Sequence, residues 1–115
     1  MIIHKRDVVE VFFDSNTGGV HPAIVLSPEE VNSEEGRVVV MMLSSSPYID
    51  RDNDYSFPLD DSMFIRPLKP GTKARLYMIG SFDFSFIVPG GKKNEMKPEA
   101  FKRLIANLNT KVFGV

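Results

Sequence analysis

The spacing of apolar residues along the chain predicts a series of short β-strands. Residues 37–43 (RVVVMML) are the strongest case, because a nearly unbroken apolar run indicates a strand covered on both faces. Residues 7–14 combine β-branched and aromatic residues with polar ends, and Pro58 confines the alternating segment 55–59 to the edge of a sheet. The predicted strands are 7–14, 23–27, 37–43, 55–59 and 73–84, the last interrupted near Gly80.

One helix is predicted near the end of the chain. Pro98 suits the first position of a helix, and five apolar residues follow at helical spacing: Phe101, Leu104, Ile105, Leu108 and Val112. Burial of this stripe would stabilise the domain by ~1.5–3 kcal/mol for each side chain, before entropy is counted. Several strands capped by one terminal helix predict a mainly β fold, a small barrel or sheet, in a single domain spanning 1–115.

Two predictions concern the boundaries of these elements. Pro22 is expected at the first position of the strand 23–27, where its missing N–H is tolerated. The acidic segment 28–36 is expected to lie on the surface, with one helical turn that begins at Ser27 as its N-cap. The sequence thus predicts that Pro22 starts a strand and that Ser27 starts a helical turn.

Composition narrows the class of protein. The chain has no cysteine, which excludes disulfides and thiolate metal sites and fits a reducing cytosol. Its charges follow a very short apolar start, unlike those of a signal peptide, and no apolar run approaches the length of a membrane span. We therefore expect a cytoplasmic protein that does not bind membranes.

The net charge of −1 conceals an uneven distribution. Residues 1–65 hold four Lys/Arg against twelve Asp/Glu, whereas residues 66–115 hold ten against three. If the fold gathers the later cations on one face, that face attracts a polyanion. The alternative is that these cations only keep strand edges and a helix surface soluble.

Four stretches, taken in order, resemble the MazF/PemK family. Residues 6–13 (RDVVEVFF) match an opening strand of the type Gly-Asp-Val-Val-x-Val-x-Phe, with arginine in place of the glycine. Residues 18–27 (GGVHPAIVLS) match a glycine-rich loop that ends in Arg-Pro and leads into a strand, with His21 in place of the arginine. Residues 38–44 resemble a strand that ends in Thr or Ser, and 68–78 (LKPGTKARLYM) resemble a segment of the type Leu-Lys-x-x-Ser-x-x-Arg-x-Asp-Gln.

This resemblance implies an SH3-like barrel of five to seven strands with a C-terminal α-helix, which forms a homodimer. It also implies a sequence-specific endoribonuclease that cleaves single-stranded RNA without a metal or other cofactor. Such proteins are the growth-inhibiting toxins of type II toxin–antitoxin systems, so a cognate antitoxin protein is the expected partner. The reaction is attack of the ribose 2′-OH on the adjacent phosphate, which needs a base, an acid and donors for the charge that builds on the phosphate.

The catalytic candidates that the resemblance implies are His21, Ser44 and Arg75. The Arg75 guanidinium stays charged and can bind two phosphate oxygens at once, although an exposed strand arginine would look the same in sequence. Ser44 stands at a strand end where its hydroxyl can donate to phosphate, but serines before a proline are also ordinary turn residues. An imidazole at His21 can move protons in either direction near neutral pH, and it is equally consistent with a site that has lost activity.

The candidate substrate-binding residues are Ser45, Ser46, Lys69, Lys73 and Tyr77. The two serines lie beside Ser44 and could exchange roles with it. Lys69 and Lys73, like Lys92 and Lys93, would help to hold an RNA backbone if they flank the site. Tyr77 stands where some family members have an acidic base, and because a phenol is a poor base at neutral pH, it is better suited to stacking on a nucleobase.

Two rival functions stand beside the nuclease. In the first, the same barrel is catalytically degenerate because of His21 and Tyr77, and it binds RNA or a protein partner through the same groove. In the second, a structural or regulatory barrel uses only its hydrophobic face to bind a protein. Cleavage of RNA without metal separates the nuclease from both rivals, and salt-sensitive binding of RNA separates the first rival from the second.

Overall fold

The fold is a curled antiparallel sheet of six strands with a helix at its C-terminal end. The computed structural model describes residues 2–14, 19–45 and 55–115. Within them the strands are β1 Asp7–Asp14, β2 Gly19–Val25, β3 Arg37–Ser44, β4 Ser56–Pro58, β5 Lys73–Asp83 and β6 Asn94–Glu95, in the sheet order β4-β5-β3-β2-β1-β6. The helices are α1 Glu29–Glu35 and α2 Pro98–Leu108, and a π-helical turn follows over Asn109–Phe113. The prediction of a mainly β fold with a C-terminal helix is confirmed.

The sheet buries a separate apolar layer on each of its sides. On one side, the helix face, strand residues that include Ile24, Met41 and Leu76 pack with Phe101 and Leu104 of α2. On the other side, the second face, the cluster consists of Ile3, Val9, Val11, Ala23, Val25, Val38, Val40, Met42 and Ile87. Successive side chains of a strand point to opposite faces, so the unbroken apolar run of β3 supplies both layers, as predicted.

Helix α2 covers the helix face with the stripe that its sequence predicts. Phe101, Leu104 and Leu108 are buried, and Ile105 and Val112 are partly buried against the same core. Pro98 occupies the first turn, as expected from its fixed φ and missing N–H. In the described part of the chain, no helix has the length and apolar content that a membrane crossing requires.

Strand β2 begins at Gly19, four residues earlier than predicted, so that Pro22 lies inside the strand and not at its start. Pro22 is opposite Glu10 of β1, whereas the pairing of β2 with β3 covers only residues 23–25. The proline therefore sits in a part of β2 that pairs along one side. A missing N–H is tolerated in such an edge-like position.

The prediction that Ser27 caps α1 is wrong. Pro28 occupies the N-cap position, and no side chain caps the helix. The Ser27 Oγ donates to Asn32 Oδ1 at 2.5 Å and accepts the Val39 N–H at 2.9 Å. The Nδ2 of the fully buried Asn32 donates to the carbonyl oxygens of Ile3 (2.9 Å) and Ser27 (3.0 Å). Ser27 therefore joins α1 to β3, and it satisfies a buried polar group that sequence patterns do not show.

The irregularity in β5 lies earlier than the predicted break near Gly80. Met41 of β3 is opposite Ile79, whereas Leu43, only two residues further on, is opposite Ala74. Strand β5 thus has extra residues between these two pairs, and such an insertion bends a strand. The predicted position was wrong because the irregularity arises from a shift of pairing between β3 and β5, and the sequence of neither strand alone shows this shift.

Gly80 is needed for a close approach and not for a break in the strand. A Cβ atom at this position would lie 2.8 Å from Cε2 of Phe82, closer than such atoms can approach. The Phe82 ring is partly buried against the second-face cluster and meets the Phe86 ring edge-on at 6.3 Å. Glycine at position 80 therefore leaves space for an aromatic ring on its own strand.

Candidate functional site

Strand β5 carries three of the predicted site residues. Ala74 and Leu76 are fully buried in the helix-face core. Because side chains alternate along a strand, Lys73 and Arg75 point to the second face, whereas Tyr77 lies in the irregular stretch of β5 between the Ala74 and Ile79 pairs. Lys73 and Arg75 are half-buried, and Tyr77 is 57% exposed. The start of β5 therefore presents two cations on the second face.

Ser44, the last residue of β3, lies directly opposite Lys73. Its neighbour Leu43 packs in the helix-face core, so Ser44 also points to the second face. Residues directly opposite each other have Cβ atoms ~4.5–5.5 Å apart, and diagonal neighbours are ~7–8 Å apart. Arg75, two residues beyond Lys73, is such a diagonal neighbour, and its long side chain can reach a group that the Ser44 hydroxyl contacts.

His21 lies on β2, the strand on the other side of β3. Ala23 is opposite Met42, and Ile24 is opposite Met41. The pairing of β2 with β3 ends at Ala23, so His21, two residues earlier, lies near the Ser44 end of β3. Since Ala23 belongs to the second-face cluster, His21 points to the same face, and its side chain is exposed.

The catalytic candidates thus lie on three adjacent strands, β2, β3 and β5, at one end of the sheet. We use the name His21 cluster for His21, Ser44, Lys73 and Arg75. A phosphodiester bound over the His21 cluster would meet a proton carrier, a hydroxyl donor and two cations on the same face.

Two of the other predicted binding residues are close to this end of the sheet. Ser45 follows β3 directly and is half-buried, whereas Ser46 lies outside the described residues. Lys69 is exposed in the turn before β5, where the Thr72 hydroxyl and N–H both donate to its carbonyl oxygen, at 2.6 and 3.3 Å. That turn leads directly into Lys73.

Tyr55 is a neighbour of the site that the sequence did not single out. Its ring meets the Tyr77 ring edge-on, with centroids 4.7 Å apart and planes at 67°. Tyr55 immediately precedes β4, whose first residue, Ser56, is opposite Arg75. A tyrosine at the start of a predicted edge strand was the available signal, but only the pairing of β4 with β5 connects it to Tyr77.

Lys92 and Lys93 do not flank the His21 cluster. They lie beside β6, at the edge of the sheet order furthest from β4, and both pair with acids. Lys92 Nζ is 2.6 Å from a carboxylate oxygen of Glu95 and 3.8 Å from one of Asp7, and Lys93 Nζ is 3.9 Å from one of Glu10. The hydrogen bond between Lys92 and Glu95 raises the pKa of Lys92 and lowers the pKa of Glu95. The cations of the basic half of the chain therefore lie in two separate places, on β5 and beside β6.

In the described part of the chain, neither a metal site nor the cavity beside Arg37 adds a second site near the His21 cluster. Among the residues that the structure describes, no group of three or more His, Asp or Glu side chains could hold a metal ion. A cavity of about 220 Å³ opens beside Arg37 and Ser81, at the opposite end of β3 from Ser44. The Arg37 side chain donates to the Ser81 hydroxyl and carbonyl oxygens at 3.2 and 3.0 Å.

Comparison with known protein families decides the group to which the chain belongs. Residues 4–111 match the family described as PemK-like, MazF-like toxin of type II toxin–antitoxin system. The chain belongs to this family. No curated protein matched the sequence of this MazF-like chain.

Solved structures of MazF proteins and related nucleases share the fold of this MazF-like chain. MazF from Deinococcus radiodurans superposes with a TM-score of 0.73 at 17% identity, over 100% of this chain and 99% of that one. An endoribonuclease from a mycobacterial species gives 0.72 at 14% identity, over 98% and 93%. A mycobacterial endoribonuclease in complex with its cognate antitoxin gives 0.69 at 14%, over 96% and 92%. At such low identity, these similarities show the fold alone.

Family membership gives a structural meaning to one departure from the MazF pattern. Arg6 stands where the pattern has glycine, and its φ is +79°. Glycine adopts a positive φ without steric cost, so the backbone conformation at this position explains why the pattern has glycine here. A guanidinium nitrogen of Arg6 donates to the Met96 carbonyl at 2.7 Å and lies 3.4 Å from a Glu95 carboxylate oxygen, so this side chain gains contacts that glycine lacks.

Proposed function

We propose that this MazF-like chain is a metal-independent, sequence-specific endoribonuclease that acts on single-stranded RNA in the cytoplasm. The observation that supports the proposal is that the adjacent strands β2, β3 and β5 carry His21, Ser44 and Arg75 towards the same end and face of the sheet. Membership of the toxin family supports a role as the growth-inhibiting toxin of a type II toxin–antitoxin pair. Two of the similar structures are of endoribonucleases, which agrees with this activity.

In the proposed reaction, the ribose 2′-oxygen attacks the adjacent phosphorus and the bond from phosphorus to the 5′-oxygen breaks. The products are a 2′,3′-cyclic phosphate and a free 5′-hydroxyl. His21 accepts the proton of the 2′-hydroxyl, and the resulting imidazolium can return it to the departing 5′-oxygen. Ser44 and Arg75 donate to the non-bridging oxygens, on which negative charge builds in the transition state.

Other predicted residues would hold the RNA beside the reacting phosphate. Lys73, between Ser44 and Arg75 on the second face, and Lys69, in the preceding turn, provide positive charge for neighbouring phosphates. Ser45 adds a hydroxyl next to Ser44. Such contacts position the RNA and do not distinguish one base sequence from another.

The decisive experiment incubates purified protein with a long unstructured RNA in the presence of a chelator. We expect cleavage that leaves 5′-hydroxyl ends. Arg75→Ala should lower kcat by ~10²–10³-fold and His21→Ala by ~10²–10⁴-fold. Lys102→Ala, on the exposed side of α2, is the control and should cleave at the wild-type rate. Intact RNA at high protein concentration, or cleavage that Arg75→Ala leaves unchanged, would contradict the proposal.

We also propose that the chain forms a homodimer and binds a cognate antitoxin protein. A similar mycobacterial endoribonuclease is known in complex with its antitoxin, and membership of the toxin family implies such a partner. Light scattering of the purified chain tests the dimer. Coexpression with the product of a small open reading frame immediately upstream tests the antitoxin, which should copurify and suppress cleavage.

A second candidate function is RNA binding without cleavage. Histidine at position 21 in place of the family's arginine, and tyrosine at position 77 in place of an acidic residue, favour it. Salt-sensitive binding of RNA without any turnover would support this function. Measurable turnover that depends on Arg75 would exclude it.

A further inference from the structure

Arg75 lies on β5 between two strands that pair with it differently. On the β3 side, the regular pairing with β5 ends at Ala74 and resumes at Ile79, so the register assigns no β3 residue to Arg75. On the β4 side the register is regular, and Ser56 is directly opposite Arg75. Pairing with β4 therefore fixes the backbone at the arginine that is proposed to bind phosphate.

Ser56 points to the same face of the sheet as Arg75. Phe57 is opposite Ala74, and both belong to the helix-face core. Because side chains alternate along a strand, Ser56 and Arg75 both point to the second face, with Cβ atoms ~4.5–5.5 Å apart. The other second-face residue of β4 is Pro58, whose side chain has no polar atom. The Ser56 hydroxyl is thus the group of β4 that the Arg75 guanidinium can contact.

Ser56 is also a buried polar residue, with only 6% of its surface exposed. Serine is mostly found at the surface of proteins, and a buried polar side chain is more informative than an exposed apolar one. In the part of the chain that the structure describes, this hydroxyl has no hydrogen-bond partner, whereas every fully enclosed side-chain nitrogen or oxygen has one. The Ser56 oxygen is therefore not fully enclosed, and a donor on the second face can reach it.

We infer that Ser56 is a positioning residue, whose hydroxyl accepts a hydrogen bond from the Arg75 guanidinium when Arg75 binds the reacting phosphate. The inference deepens the proposed nuclease site and rests on the role proposed there for Arg75. A guanidinium has five N–H donors, so a bond to Ser56 leaves enough of them for two phosphate oxygens. An arginine side chain has many rotamers, and an acceptor beside its stem raises the fraction of molecules in which the guanidinium already faces the phosphate.

The first test measures cleavage of RNA by Ser56→Ala in the presence of a chelator. This variant should lower kcat by roughly 3- to 30-fold, the effect of one hydrogen bond to a charged group. It should leave KM nearly unchanged, because Arg75 acts on charge that builds in the transition state. Ser56→Thr keeps the hydroxyl and should restore most of kcat. Ser33→Ala, at an exposed position of α1, is the matched control and should cleave at the wild-type rate.

The decisive test is a double-mutant cycle of Ser56→Ala with Arg75→Ala, because the cycle measures whether two residues act together. In the Arg75→Ala protein, Ser56→Ala should cause no further loss of activity. A serine that only packs or stabilises β4 would lower the rate by the same factor in both proteins, and this result would overturn the inference. The cycle does not depend on Ser56→Thr, and urea unfolding shows whether each variant is folded in the assay.

The guanidinium N–H signals of Arg75 in NMR spectra give a readout that does not require turnover. The ligand is a 2′-O-methyl oligoribonucleotide, which lacks the attacking hydroxyl and therefore stays intact. In its complex, these N–H groups should exchange with water more slowly in the wild type than in Ser56→Ala, because a hydrogen bond to Ser56 protects one of them. Equal exchange rates in the two proteins would overturn the inference.

The outcomes separate this inference from the proposed nuclease activity. If the wild type cleaves RNA and Ser56→Ala does so equally well, the positioning role is overturned and the nuclease stands. If no cleavage occurs but Ser56→Ala weakens binding of the 2′-O-methyl oligoribonucleotide only when Arg75 is present, the nuclease fails and the positioning role stands. If the protein neither cleaves RNA nor binds this oligoribonucleotide, both are wrong.

Discussion

Arg6 shows how a single residue can combine a backbone cost with a side-chain gain. Its φ of +79° is unfavourable for any residue with a Cβ atom, while its guanidinium contacts Met96 and Glu95. We expect both Arg6→Ala and Arg6→Gly to destabilise the protein by removing these contacts. The glycine variant should nevertheless be more stable than the alanine variant by ~1 kcal/mol, because only alanine retains the strain.

The neighbouring residue provides the control for this prediction. Lys5 is exposed, and Arg6 alone has a positive φ among the non-glycine residues in the described ranges. At position 5 glycine should therefore be no more stable than alanine. Urea unfolding of the four variants measures the difference. Equal stability of Arg6→Ala and Arg6→Gly would show that the backbone at position 6 is not strained.

The ion pair of Glu95 predicts a defined dependence of stability on pH. The hydrogen bond from Lys92, with the nearby Arg6 charge, lowers the pKa of Glu95 below its ordinary value of 4.5. A carboxylate whose pKa is lower in the folded state stabilises the fold above its unfolded pKa and loses this contribution as pH falls through the folded pKa. Glu95→Gln should therefore lower the free energy of unfolding by ~1 kcal/mol or less at pH 7, and this effect should fade below pH 4.5.

Urea unfolding at neutral and acidic pH checks the prediction for Glu95. Glu99→Gln is the matched control, because Glu99 also pairs with a lysine three residues away, at 3.5 Å, but 85% of its side chain is exposed. This variant should differ from the wild type by less than ~0.5 kcal/mol at either pH. A loss in Glu95→Gln that is as large in acid as at neutral pH would contradict the assignment.

Among the elements, α1 depends on a hydrogen-bond network that its sequence hardly reveals. Asn32 is fully buried, and its Nδ2 holds the carbonyls of Ile3 and Ser27. Asn32→Asp keeps the shape but removes both donor hydrogens. We expect a loss of ~3 kcal/mol or more, because buried carbonyls without a donor cost ~1–3 kcal/mol each.

Thermal or urea unfolding measures the loss, and hydrogen exchange locates it. The Val39 N–H donates to Ser27 Oγ, so its exchange should accelerate in Asn32→Asp. Ser33→Ala, at an exposed position of the same helix, is the control and should change stability by less than ~0.5 kcal/mol. A small loss in Asn32→Asp would mean that the network does not hold α1.

The sequence predicts those elements whose periodicity is long and unbroken. Strands β1 and β3 and helix α2 follow their apolar patterns closely. Strand β6 has only two residues, and it exists because residues 94–95 pair with the distant start of β1, which no local pattern shows. The bend in β5 depends in the same way on its pairing with β3.

The same distinction between local patterns and long-range pairing applies to the candidate site. Motif positions identify His21, Ser44 and Arg75, but only the register of three strands relates them to one another. The contact between Tyr55 and Tyr77 and the pairing of Lys93 with Glu10 arise between segments whose relative placement the sequence does not encode locally. The roles of the site residues stay predictions until cleavage and binding are measured.

At the scale of the whole molecule, the fold distributes the basic half of the chain between two different surroundings. Lys73 and Arg75 lie on the second face beside the proposed phosphate position. Lys92 and Lys93 lie beside β6 and have carboxylates within 4 Å. The uneven charge along the sequence thus does not produce one uniformly basic surface, and a polyanion should be bound mainly at the β5 end of the sheet.

The salt dependence of RNA binding tests this distribution directly. Each phosphate contact on a single strand contributes ~0.7 to the slope of log Kd against log salt, because binding releases a counterion. Lys73→Ala should therefore reduce the slope by ~0.7, whereas Lys92→Ala should leave it unchanged, since that cation lies beside β6, away from the proposed site. The measurement uses a 2′-O-methyl oligoribonucleotide, which lacks the attacking hydroxyl, at several salt concentrations. An equal reduction in Lys92→Ala would show that RNA crosses the β6 edge, and the His21 cluster would then not be the centre of binding.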